Sequence, residues 1–64
     1  MREKLKAARL KSGLTQAQTA AAVGICERYY RSLELGARGG KAALWDKLED
    51  LFRVPQRTLR ENLG

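Results

Sequence analysis

Histidine is absent from this chain, and cysteine and proline occur once each. Without an imidazole and with a single thiol, zinc sites and His-based nucleophilic catalysis are excluded. Cys26 has no second cysteine with which to form an internal disulfide. No apolar run approaches the ~20 residues of a membrane-spanning helix. The opening stretch "MREKLKAAR" lacks the apolar centre of a signal peptide. These absences predict a cytoplasmic, non-enzymatic protein that needs no metal or other cofactor. A chain of 64 residues makes one domain at most, here residues 1–64. At this length only about 60% of the unfolded surface is buried, so the core is small.

Positive charge is what the chain has in excess. Thirteen Lys and Arg stand against seven Asp and Glu, a net charge of +6. Such a balance favours a polyanionic partner, nucleic acid first and an anionic membrane surface second. A solvated basic surface is the plain alternative. The membrane is disfavoured because the basic residues do not oppose one continuous apolar face.

Apolar spacing and stop signals predict an all-α chain of five short helices. "EKLKAARLKSG" reads as the first, ended by Gly13. Thr15 is a good N-cap for a second that runs to about Val23 and has an alanine-rich interior. A third covers about Cys26 to Leu35, and Gly36 stops it. "GARGG" is a loop, and "KAALWDKLEDLF" is the most clearly amphipathic segment, with Leu44/Trp45, Leu48 and Leu51/Phe52 on one face. Val54-Pro55 breaks that helix, and "PQRTLRENL" offers a fifth with Leu59 and Leu63 on one side. Between the second and third, Gly24 leaves room only for a sharp turn, with Ala20 small enough for two helices crossing at ~100°. Ile25 and Leu33 cover the inner face of that corner.

These residues carry a resemblance. Leu5, Arg9, Gly13-Leu14-Thr15-Gln16, Ala20, Gly24-Ile25, Leu33 and Glu34-Leu35-Gly36-Ala37-Arg38 match in type and spacing the phage-repressor, Cro-type helix-turn-helix DNA-binding domains, the XRE family. Leu48, Phe52 and Val54 match the fourth helix of that family. The likeness spans about residues 5 to 59. It implies a lambda-repressor-like fold whose helix-turn-helix occupies about residues 15–35. Three positions depart from the pattern: Tyr30 stands for a smaller Ile or Val, Thr19 for a common Leu, and Gly40 for a frequent Pro.

The resemblance makes the third helix the recognition helix. Its spacing puts Cys26, Tyr30 and Leu33 on one side and Glu27, Arg28, Arg31, Ser32 and Leu35 on the other. The second face would enter a major groove, where an arginine can donate two hydrogen bonds to guanine. Arg28 and Arg31 are the candidate base readers. Glu27 would accept from cytosine or hold an arginine in place, and Ser32 would meet a base or a phosphate. The plain alternative is a solvated charged face with an ordinary Glu27–Arg31 pair.

Phosphate contacts are expected on both flanks. Thr15 and Gln16 stand at the N-terminus of the second helix, whose free N–H groups suit an anion. Tyr29 lies at the edge of the reading face. Arg38 and Lys41 resemble the family's second phosphate clamp, with Gly39 and Gly40 allowing close backbone approach; a simple flexible connection is the alternative. Arg9 and Glu34 occupy the positions of a structural ion pair in the family. Cys26, at a helix N-terminus, is a small apolar filler before it is a redox sensor.

The expected function is therefore sequence-specific binding of double-stranded DNA by a transcriptional regulator, in the first place a repressor, with no small-molecule pocket evident. A weak homodimer on a two-fold site is expected, joined through Leu59/Leu63 and an exposed Trp45. The rival is a protein-interaction module of the same fold, antitoxin-like or anti-repressor.

Overall fold

In the computed structural model, residues 1–62 are described. They form α1 (Glu3–Lys11), α2 (Gln16–Val23), α3 (Glu27–Leu35), α4 (Ala42–Phe52) and α5 (Gln56–Leu59), with no strand among them. The start of α2 is a reciprocal cap: Thr15 Oγ1 accepts from the Gln18 N–H at 3.0 Å, and Gln18 Oε1 accepts from the Thr15 N–H at 2.9 Å. Its end is Gly24, left-handed at φ 77°, after which the Ile25 N–H returns to the Ala20 carbonyl at 2.9 Å. The chain then enters α3 after only Ile25 and Cys26.

A Cβ built on Gly24 would meet nothing within 4 Å, so a side chain there costs backbone strain rather than a clash. Gly24→Val should lose about 1–3 kcal/mol, a drop of roughly 5–20 °C in melting temperature for a domain this size. Gly24→Asn, which tolerates the left-handed region, should lose much less. Thermal melts of the two variants check this, and equal melting temperatures for Val, Asn and Gly would remove the turn's conformational demand.

The core collects the apolar stripe of every helix: Leu5, Ala20, Val23, Tyr30, Leu33, Leu44, Trp45, Leu48, Phe52 and Leu59. Trp45 and Tyr30 are its largest fully buried side chains. Burying these against one another supplies most of the drive to fold. It also fixes the outer face of α3, because Tyr30, Leu33 and Glu34 are turned inward.

Four expectations change at this level. Cys26 is exposed rather than an apolar filler. It is the residue before α3, with extended backbone at ψ 157°, so its spacing to Tyr30 does not put both on one helical face. The fifth helix stops at Leu59, with Arg60 capping it. Beyond it Asn62 Nδ2 donates to the Gly36 carbonyl at 3.3 Å, while Leu63 lies outside the described residues. Leu59 and Trp45 are both fully buried, so neither is free to join two protomers; the apolar face they complete is covered by this same chain.

The three departures from the family pattern are accommodated locally. Thr19 is buried with its hydroxyl donating to the Thr15 carbonyl at 2.9 Å. Tyr30 fills the centre, at the cost of a buried hydroxyl with no hydrogen-bond partner of its own. Gly40 has φ 73°, and a Cβ there would lie 2.7 Å from Trp45 Nε1.

Candidate nucleic-acid interface

α3 is amphipathic and its polar side is outward. At 100° per residue, Arg28 and Leu35 lie at the middle of that side, Glu27 and Arg31 toward one edge, and Ser32 and then Tyr29 toward the other. Arg28 is exposed and has no ion-pair partner among the described residues. Leu35 is 55% exposed, an apolar surface in the middle of a charged face. The Ser32 hydroxyl donates to the Arg28 carbonyl at 3.1 Å, which leaves its oxygen lone pairs available.

Arg31 is held rather than free. Its Nη2 is 3.2 Å from Glu27 Oε2, and its Nε donates to Gln16 Oε1 at 3.5 Å. Gln16 in turn donates through Nε2 to Glu34 Oε1 at 3.2 Å. Glu34 accepts from Arg9 Nε at 2.6 Å, deep in the domain, and Arg9 Nη1 reaches the Leu14 carbonyl at 2.9 Å. A chain of contacts thus runs from a buried ion pair joining α1 to α3, through the first residue of α2, to the outer face of α3.

Electrostatics follow this chain. Burial by itself would raise the Glu34 carboxyl, but hydrogen bonds from Arg9 and Gln16, with the Arg9 charge, outweigh it and hold the group below its ordinary value. Arg9 is raised, first by its hydrogen bond to Glu34. Burial, and then the neighbouring Glu34, push the Tyr30 hydroxyl far up, so the pair sits beside a phenol that stays neutral.

On the other flank Tyr29 is half-buried, and the Arg38 guanidinium lies 5.9 Å from its ring centroid. Lys41 precedes α4 and is exposed. Together with Lys47 it rims an open groove of about 290 Å³ lined by Val23, Gly24, Ile25, Tyr29, Ala43 and Leu44. The structure therefore divides the candidate phosphate residues in two. Thr15 and Gln16 stand on the Arg31 side, and Tyr29, Arg38 and Lys41 on the opposite side. At the α2 end the cap consumes the Gln18 N–H, while the N–H groups of Gln16 and Ala17 have no intrahelical acceptor.

Two helices packed across a turn of this tightness, the second with its polar face outward, have the architecture that places a helix in a DNA groove. A family model for the helix-turn-helix domain matches residues 1–63. The chain belongs to the helix-turn-helix family. No curated protein and no solved structure shows a significant match to it.

Two features of this helix-turn-helix domain gave no signal in the sequence. One is the groove beside the turn, whose lining comes from α2, the turn, α3 and α4 together. The other is Arg2, which is 7% exposed although it stands in a run of solvated charges. Burial and the nearby Arg60 lower its guanidinium from the usual value. Among the described residues no cluster of His, Cys, Asp and Glu could hold a metal ion, and no helix is long and apolar enough to cross a membrane.

Proposed function

We propose that this helix-turn-helix domain is a Cro-type, sequence-specific regulator of transcription that lays α3 in the major groove of double-stranded DNA and represses by occupying an operator. The observation that carries this is the outer face of α3, where an unpaired, exposed Arg28 stands beside an Arg31 already oriented by Glu27 and Gln16. Such a face is suited to guanine edges. Arg28 and Arg31 are the base readers, Glu27 and Ser32 refine the choice, and Thr15, Gln16, Tyr29, Arg38 and Lys41 meet phosphates. The net charge of +6 supports the sequence-independent part of the affinity.

One such module covers little DNA, so two protomers are expected to bind a two-fold site, with half-sites about 10 bp apart, centre to centre. Their contact excludes the buried Leu59 and Trp45. Selection from a random duplex library tests both parts. The expected result is an enriched inverted repeat bound with steep salt dependence. Enrichment without a repeat would leave a monomeric reader. No enrichment and no salt-sensitive affinity would favour a protein-interaction module, antitoxin-like or anti-repressor, for which the apolar groove between Ile25 and Leu44 is the supporting observation.

A further inference from the structure

Arg2 draws its hydrogen-bond partners from three distant parts of the chain. Its Nη1 donates to the Leu33 carbonyl and to the Arg38 carbonyl, each at 2.7 Å, and its Nε to the Arg60 carbonyl at 3.2 Å. No carboxylate pairs with it among the described residues. The Leu33 carbonyl belongs to the last turn of α3, the negative end of the helix dipole, and that turn has no basic residue of its own. Arg2 supplies the missing cation from outside the helix.

The next carbonyl in the loop is also taken. Trp45 Nε1 donates to the Gly39 carbonyl at 2.8 Å, and the Arg2 guanidinium lies 5.2 Å from the centroid of the same indole. Two buried side chains therefore grip consecutive carbonyls of the segment between α3 and α4, and Gly40 makes room for the indole. In a trans peptide the N–H points opposite to the C=O. The N–H groups of Gly39 and Gly40 are accordingly turned away from Arg2 and Trp45, on the side of the loop that the core does not occupy.

We propose that Arg2, assisted by Trp45, is a positioning residue for phosphate binding: by tying the Arg38 backbone to the end of α3 it sets the Arg38 side chain at a fixed place beside the recognition helix. The proposal rests on the DNA-binding reading above. A two-glycine loop left free would lose conformational entropy on closing over a phosphate, whereas one gripped at two carbonyls has lost it already on folding. Because a phosphate is the same at every base pair, the effect reaches specific and unrelated DNA alike.

The test is a double-mutant cycle on an unrelated duplex across a salt series. Arg2→Met and Arg38→Ala should each weaken binding by about fivefold to tenfold, and the double variant should be no more than about twofold weaker than Arg38→Ala alone. Arg2→Lys, whose ammonium can take the place of Nη1 between the two carbonyls, should restore much of the loss. Trp45→Phe keeps an aromatic side chain and the net charge, and removes the indole N–H donor. It should weaken binding in the parent and not in the Arg38→Ala background, and it carries the same cycle if Arg2→Met does not fold. Effects that multiply in both cycles would show that Arg2 acts through bulk charge or general stability, and would overturn the proposal while leaving DNA binding intact. An unaltered protein with no salt-sensitive DNA affinity would overturn the DNA-binding reading, and this proposal with it.

Discussion

Glu34→Ala should unfold much of the domain at room temperature. The carboxylate it removes is 2.6 Å from Arg9 Nε, with the two side chains 3% and 10% exposed. Without it the Arg9 guanidinium stays buried with only the Leu14 carbonyl as a partner, and Gln16 loses the acceptor that turns it toward Arg31. Breaking a buried pair from one side costs on the order of 3–5 kcal/mol, because the remaining charge is uncompensated. A domain of this length has only about 3–10 kcal/mol to lose. Replacing both partners, as in Arg9→Met with Glu34→Leu, should return most of the loss. Denaturant unfolding of the single and double variants measures this, and a Glu34→Ala loss below about 1 kcal/mol would reduce the pair to an exposed one. Acid gives the same interaction a second readout. Since Glu34 is held below its ordinary value of 4.5, its contribution is fully present above that value and is lost as pH falls through the lower folded one. Glu34→Gln should flatten that part of the stability–pH curve.

Arg28→Ala and Arg38→Ala should separate reading from holding. Arg28 is exposed at the middle of the outer face of α3, near its N-terminal end, where a guanidinium reaches base edges. Its removal should cost about 1–3 kcal/mol per half-site on the selected sequence and relax discrimination at one base pair, with much less change on scrambled DNA. Arg38 lies beyond the helix against Tyr29. Its removal should weaken both DNAs alike and lower the salt slope by about one per protomer. Titrations of both variants on both duplexes across salt decide the matter. If both substitutions weaken both DNAs equally, Arg28 is a second phosphate contact and base reading passes to Arg31, Ser32 or Glu27. If neither changes affinity, the protein-interaction module is the better account.

What was legible in the sequence was what the chain decides within a few residues. The Thr15–Gln18 cap joins neighbours three apart, and Gly24 and Gly36 answer a local demand for positive φ. The 3.6-residue period of α4 names its buried face before any partner is known. Helix number, the turn between α2 and α3, and the outer face of α3 follow from such short-range rules, whereas the roles proposed for its residues on DNA come from the resemblance to Cro-type domains. Periodicity holds only inside a helix, so Cys26, one residue before α3 and in extended backbone, does not share the face of Tyr30.

The tertiary structure decided what depends on which distant group arrives. Periodicity marks Leu59 and Trp45 as apolar-facing but does not say whether their own chain or a second copy covers them, and here it is their own. The side chain of Gln16 bridges Glu34 and Arg31, residues 18 and 15 positions away that only the packing of α2 against α3 brings to it. Arg2 resembles the solvated basic residues after it, and only the meeting of carbonyls from residues 33, 38 and 60 makes it a buried tie. Local propensity is set by bonded neighbours, whereas burial and pairing are set by contacts between residues up to 61 positions apart, which become defined only when the whole core has closed.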